Sequence, residues 1–181
     1  MKNINKKGLT LIELLGVIVV LGIIATISFV SISGVINNSR KDALAENGNA
    51  MVEGVELFVS ERLLLNGDLS GITTSNEIFY DDDTTPTLLY INLQYLIDEG
   101  YLDADDFEGN VGQVAINLAE DTTNGTTNKI VFVAYEEGDF IIFEGNTTTL
   151  AEVTRLGRDE VVEGTLYTDN DGIMTDVEPT A

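Results

Sequence analysis

A single carboxylate, Glu13, lies at the edge of a long apolar run near the N-terminus. The run from Leu14 to Ile36 contains no charged side chain. A short basic segment ending in Lys6, Lys7 and Gly8 precedes it. An acidic side chain at the centre of a membrane helix costs roughly 2.5–3.5 kcal/mol on insertion scales. Because an ordinary membrane anchor has no use for such a residue, we expect Glu13 to have a function of its own.

A second group of side chains that could do chemistry lies near the C-terminus, between Tyr167 and Glu178. Calcium takes six to eight oxygen ligands, which clustered carboxylates beside a turn glycine can provide. The candidate ligands are Asp169, Asp171, Asp176 and Glu178, with Gly172 at the turn. When the segment is aligned with the loop of an EF-hand, the first ligand position falls on Tyr167, which has no carboxylate. The segment is therefore not an EF-hand, and two interpretations remain open: a calcium site or a solvated acidic tail.

The composition excludes most kinds of catalytic and metal site. The chain has no cysteine, histidine or tryptophan, so it can form neither a disulfide nor a Cys/His metal site. It also lacks a thiol nucleophile and a histidine-based triad. Pairs of carboxylates can act as acid and base in glycosidases, but 31 acidic residues make chance pairs inevitable. With no other catalytic group beside them, we expect no enzymatic activity and no cofactor other than calcium.

The chain is strongly acidic, with 9 basic against 31 acidic residues and a net charge of −22. Such a surface repels the phosphate groups of nucleic acids, so we expect no direct nucleic-acid binding. The charge indicates a highly solvated exterior that resists aggregation. An exterior rich in divalent cations is a second interpretation.

The apolar run is long enough to cross a membrane, since about 20 helical residues span the hydrocarbon core. Three lysines precede Leu9, and the positive-inside rule places that end in the cytoplasm and the C-terminus outside. The alternative is a secreted protein that loses the apolar run. Ser31–Gly34 is only a weak cleavage site for that process, and Glu13 is unusual in a signal peptide. We therefore expect a single-pass membrane helix.

The helix is expected to continue beyond the apolar run as an amphipathic segment, residues 37–65. Apolar residues recur there at spacings of three and four, which marks one buried face of a helix. The predicted face consists of Leu44, Gly48, Met51, Val55 and Phe58. No proline interrupts residues 1–85, and Asn66-Gly67-Asp68 is a natural end. One continuous helix to about residue 65 is therefore predicted.

Residues 66–181 are expected to form an acidic globular head. A loop over 66–87 precedes a second helix, Leu88–Glu99, with Thr87 as its N-cap and Gly100 at its end. A hairpin turn is predicted at Glu136–Asp139. The predicted strands are Val111–Ile116, Lys129–Tyr135, Phe140–Phe143 and Val161–Tyr167. The fold class is therefore α+β, with a long N-terminal α-helix packed against a small antiparallel β-sheet.

The sequence Gly8-Leu9-Thr10-Leu11-Ile12-Glu13, followed by the apolar run, resembles the class III signal of bacterial type IV pilins and pseudopilins. The resemblance implies that a prepilin peptidase cuts after Gly8 and then methylates the new N-terminal residue, Leu9. Phenylalanine is the commonest residue at that position in the family, so Leu9 is a mild departure from the family pattern. The implied pilin fold divides the chain into a leader (1–8), a transmembrane and filament-core helix (9–36), the amphipathic half of that helix (37–65) and the head (66–181).

The resemblance also implies a function for Glu13. In the family, the matching glutamate neutralises the N-terminal amine of an adjacent subunit as the helices bundle in the filament core. Such pairing reduces the cost of a carboxylate in lipid, so it would favour assembly. Gly22 matches a glycine that many members carry. Val30 stands where many members have a proline. In the family that proline is associated with local melting of the helix in assembled filaments, so its absence leaves open whether this segment melts and lengthens.

The function implied by the resemblance is that of a structural subunit of a type IV pilus, a helical homopolymer of this chain. The other implied partners are the peptidase, an assembly ATPase and a platform membrane protein. The subunit would lie in the cytoplasmic membrane before assembly and in a cell-surface pilus afterwards, supporting adhesion, motility or DNA uptake.

Two alternatives remain open. The first is a pseudopilin of a type II secretion or competence machine, and the second is a monomeric membrane-anchored binding module. The segment Leu93–Leu102 resembles a helix end found in several pilins of Gram-positive bacteria. The absence of cysteine agrees with this resemblance, and the two features together predict a Gram-positive origin.

Overall fold

The computed structural model describes residues 10–69, 72–82, 84–118, 128–145, 147–148 and 151–177. The contacts within the chain divide it into two compact units, Met1–Arg40 and Lys41–Ala181. A long helix, α1 (Leu11–Asn66), contributes to both. The predicted α+β fold class is confirmed, because α1 packs against an antiparallel sheet in the second unit.

The end and the buried face of α1 are those predicted. Gly67 has a φ of +84°, a left-handed conformation that glycine adopts at low cost. Its N–H donates to the Leu63 carbonyl at 3.0 Å. The predicted face is buried throughout: Leu44, Gly48, Met51, Val55 and Phe58. The exposed glutamates of the same segment are Glu46, Glu53, Glu56 and Glu61.

Within the described residues, six strands form one antiparallel sheet in chain order. They are β1 (Ile78–Tyr80), β2 (Leu88–Asn92), β3 (Val111–Asn117), β4 (Lys129–Glu137), β5 (Phe140–Gly145) and β6 (Val161–Glu163). A short helix, α2 (Leu93–Asp98), follows β2 directly. A separate hairpin near the C-terminus consists of β7 (Tyr167–Thr168) and β8 (Met174–Thr175).

The hairpin of β4 and β5 confirms the predicted turn. Glu137 pairs with Phe140 across it, and Gly138 adopts a φ of +64°. The predicted strand at Val111–Ile116 is also confirmed as β3.

The predicted helix Leu88–Glu99 is wrong over residues 88–92, which form β2. This strand pairs with both β1 and β3, so that Leu89 lies opposite Tyr80 on one side and Ile116 on the other. A continuous apolar run fits a buried central strand as well as a helix. Because residues 88–92 hydrogen-bond to two neighbouring strands, they form a strand, and of the predicted helix only α2 is helical. Gly100, with a φ of +82°, follows it as predicted.

Three smaller features also differ from the prediction. Thr87 caps no helix, because the residues that follow it form β2, and its N–H and hydroxyl donate to Asp81 instead. The expected loop 66–87 contains the edge strand β1. The expected strand Val161–Tyr167 is interrupted at Gly164, whose N–H donates to the Asp139 carbonyl at 3.1 Å, so Tyr167 belongs to β7 instead.

Both faces of the sheet are covered. One packs against α1, and the other packs against the C-terminal hairpin through Leu166, Ile173 and Met174. Gln113 is fully buried and holds this hairpin in place. Its Nε2 donates to the Gly172 carbonyl at 2.9 Å, and its Oε1 accepts the Met174 N–H at 2.9 Å.

Candidate assembly segment

The first described residues form a capping box at the start of α1. Glu13 Oε2 accepts hydrogen bonds from the Thr10 N–H at 2.8 Å and from the Thr10 hydroxyl at 2.7 Å. Thr10 Oγ1 accepts the Glu13 N–H at 3.3 Å. These bonds satisfy N–H groups that the start of a helix otherwise leaves without a partner.

This local function of Glu13 was missed at the level of sequence, although its signal is present. A threonine followed three residues later by glutamate marks a helix start, and Thr10 and Glu13 have that spacing. The resemblance pointed elsewhere, because it gives Glu13 a partner in a neighbouring subunit. Both hydrogen bonds that the Glu13 carboxylate accepts use its Oε2 atom. Within the described residues Oε1 has no hydrogen bond and can accept one from another group.

The apolar side chains of α1 between Leu11 and Ile36 are exposed. Every large apolar side chain described there has a relative exposure between 47% and 85%. Apolar residues surround the helix on all sides, which is typical of a helix that lies in lipid or among other apolar helices. Within the described residues, α1 is the one helix long and apolar enough to cross a membrane.

Two hydroxyl groups in this segment donate to carbonyls of the helix itself, which makes them compatible with an apolar environment. The Thr26 hydroxyl donates to the Gly22 carbonyl at 2.8 Å, and the Ser28 hydroxyl donates to the Ile24 carbonyl at 2.8 Å. A Cβ added at Gly16 or Gly22 would meet no atom within 4 Å. Small residues of this kind let a second helix approach closely.

Residues 3–29 match the family model of the prokaryotic N-terminal methylation motif. The chain carries the class III signal of type IV pilins and pseudopilins. The methylation motif indicates a substrate of prepilin peptidase that polymerises into pilus-like assemblies, and proteins with this motif are structural rather than enzymatic. The apolar helix and the motif are consistent with membrane insertion followed by a surface pilus. Comparison with curated proteins and with solved structures found no match.

The predicted positions within the methylation motif are only partly described. Gly8 and Leu9, the expected cleavage and methylation positions, lie outside the described residues. Glu13 lies in the first turn of α1. The helix is unbroken at Gly22 and at Val30. A Gram-positive origin stays a prediction.

Two of the C-terminal acidic residues, Asp169 and Asp171, lie in the turn between β7 and β8, and Asp176 follows β8. Asp169 Oδ1 accepts the N–H groups of Asp171 at 2.9 Å and Ile173 at 2.8 Å, and Gly172 has a φ of +83°. Across the described ranges, no three acidic side chains form a group that could hold a metal ion. The expected ligands Asp169, Asp171 and Asp176 are described, whereas Glu178 lies outside. A calcium site in this segment stays a prediction.

Asp81 stabilises the loop between β1 and β2 by accepting hydrogen bonds from its far end. Its Oδ1 accepts the N–H groups of Thr87 and Leu88, each at 2.9 Å. Partial burial raises the pKa of Asp81, but hydrogen bonds from Thr87, Leu88 and the Asp82 backbone together outweigh it and hold the pKa below its ordinary value. This acidic side chain therefore has a structural function in the head.

Proposed function

We propose that this chain is the structural subunit of a type IV pilus. Prepilin peptidase removes residues 1–8 and methylates Leu9, and the chain then polymerises with its apolar helix in the filament core and its acidic head outside. Before assembly the subunit lies in the cytoplasmic membrane with its C-terminus outside. An assembly ATPase and a platform membrane protein drive polymerisation, and the subunit itself has no enzymatic activity.

The observation that carries this proposal is the exposure of α1 between Leu11 and Ile36 in a chain with the methylation motif. A helix that is apolar on all sides can bury its whole circumference only among lipids or among other helices. Copies of the same segment, released from the leader, provide such an environment. The filament core is therefore formed by the part of the chain whose described large apolar side chains are exposed.

Glu13 is proposed to have two partners in the filament. Its Oε2 keeps the capping bonds to Thr10, and its Oε1 accepts the N-terminal amine of Leu9 from a neighbouring subunit. A carboxylate that is both hydrogen-bonded and paired with a positive charge costs far less in an apolar core than an isolated one. The pairing therefore favours association and sets the axial register between subunits.

Mass spectrometry of the native N-terminus in sheared surface filaments tests the proposal. We expect abundant filaments whose subunits begin at methylated Leu9. The matched control is Gly8→Leu, which changes no residue of the processed chain and should leave an uncut subunit in the membrane. A chain that begins at Met1 or near Gly34 contradicts the proposal. Methylated Leu9 that stays with the cell envelope and never enters sheared filaments instead indicates a pseudopilin.

A further inference from the structure

Acidic side chains greatly outnumber basic ones in this chain. The net charge is −22. Ion pairs join Lys129 to Glu152 and Arg158 to Asp42, and both lie at the surface. Loss of residues 1–8 removes three lysines and no acidic residue, so the processed chain has 6 basic against 31 acidic residues and a net charge of −25.

A polymer repeats this charge along one axis, with a spacing that has an upper limit. Helix α1 has 56 residues, which corresponds to about 84 Å at 1.5 Å per residue. Subunits that bury their helices against one another must overlap, so the axial advance per subunit is shorter than this length. The net charge of −25 of the processed chain then amounts to at least one charge per roughly 3.4 Å of filament axis.

This charge density is high enough to hold counterions. Two unit charges in water interact with an energy equal to the thermal energy at about 7 Å. Double-stranded DNA, with one charge per about 1.7 Å, carries a condensed layer of cations. A filament with a charge spacing well below about 7 Å lies in the same regime, whatever its helical symmetry.

We propose, on the basis of the proposed function, that the assembled filament binds divalent cations as a diffuse layer over its heads. No discrete ligand set is required, and across the described residues no group of three metal-binding side chains exists. Divalent ions accumulate until the remaining charges are about 14 Å apart. Over the longest axial advance this corresponds to about ten ions per subunit, and complete neutralisation would take about twelve.

Equilibrium dialysis with Ca²⁺ tests the proposal on purified filaments and on the full-length subunit in a neutral detergent. At low ionic strength we expect filaments to bind about ten to twelve ions per subunit and the monomer several-fold fewer. Binding to filaments should fall steeply as NaCl is raised, because monovalent ions compete for the layer.

The matched control replaces the candidate calcium ligands with neutral residues, in the triple variant Asp169→Asn, Asp171→Asn and Asp176→Asn. Asparagine keeps the oxygen that accepts the turn hydrogen bonds at residue 169. We expect its filaments to lose only about one or two ions per subunit.

Binding of one or two ions that resists NaCl and disappears in the variant overturns the proposal in favour of a discrete site. Filaments that bind no more per subunit than the monomer also overturn it and leave the proposed function intact, whereas failure of the processed chain to form filaments overturns both.

Discussion

The two parts of α1 find their partners in different places. From Lys41 onward, one stripe of the helix is buried against the sheet of the same chain. Between Leu11 and Ile36, the large apolar side chains that are described are exposed on every side. Both parts have the same secondary structure, so the difference lies in the arrangement of apolar residues around the helix. A stripe can be satisfied by one sheet, whereas a fully apolar surface needs partners from outside the chain.

Hydrogen bonds sharpen this contrast. The Asn49 side chain donates to the Leu156 carbonyl at 2.9 Å and accepts the Leu156 N–H at 2.8 Å, which fixes the second part of the helix to a distant segment. In the first part, the hydroxyls of Thr26 and Ser28 donate to carbonyls of the helix itself. The head part is therefore held in one geometry by its own chain, and the apolar part remains available to other subunits.

The largest effect is expected from Glu13→Gln. Glutamine can still accept the capping hydrogen bonds, but it cannot pair as an anion with a neighbour's amine. We expect near-complete loss of sheared filaments, measured by quantitative immunoblot, with normal amounts of subunit in the membrane. The control Thr10→Val removes the hydroxyl bonds and keeps the charge, so it should still form filaments. Normal filament yield from Glu13→Gln would show that Glu13 acts only as a helix cap.

Phe58→Ala is expected to have the largest effect on the head. Phe58 is fully buried, with its ring edge-to-face against Tyr95 at 5.8 Å and Tyr101 at 5.7 Å. Its truncation should lower the free energy of unfolding by about 3–5 kcal/mol, measured by denaturant unfolding of the full-length subunit in detergent. Leu21→Ala, at a position with 58% exposure, should leave head unfolding unchanged. Equal losses in both variants would refute the division of α1 into two parts.

The glycines of the two parts should respond differently to leucine. A Cβ at Gly48 would lie 2.8 Å from Leu156 Cδ1 and 2.9 Å from Ile142 Cδ1, so Gly48→Leu should destabilise the head by about 1–3 kcal/mol. A Cβ at Gly16 meets nothing within 4 Å. Gly16→Leu should therefore leave monomer stability unchanged or slightly raised, because leucine has a higher helix propensity. Filament yield from Gly16→Leu then reports whether neighbouring helices approach closely there.

The smallest effect concerns pH and Asp81. Its folded-state pKa lies below the ordinary value, so its contribution is fully present above the unfolded pKa of about 3.9. That contribution is lost as the pH falls through the folded pKa. Asp81→Asn should thus lower the melting temperature of the head at pH 7, with a smaller difference from the parent at pH 3. An equal difference at both pH values would show that the charge of Asp81 does not contribute.

Features that depend on neighbours along the chain could be predicted from the sequence. These include the methylation motif, the buried face of α1 and the turn at Glu136–Asp139, because spacing and turn chemistry are local properties. The capping box of Thr10 and Glu13 is equally local, and the spacing of these two residues is sufficient to predict it. The acidic turn at Asp169 could not be distinguished from a cation site, since carboxylates beside a glycine suit both.

The sequence by itself determined that this chain has an apolar helix with a class III signal, an amphipathic continuation and an acidic head. Only the tertiary structure decided that Leu88–Asn92 is a strand, because its hydrogen-bonding partners β1 and β3 are supplied by other parts of the chain. It also decided that Gln113 is buried, since the groups that satisfy its amide come from Asn92 and the distant hairpin of β7 and β8. Local patterns cannot specify such partners, because they are brought together only when the chain folds.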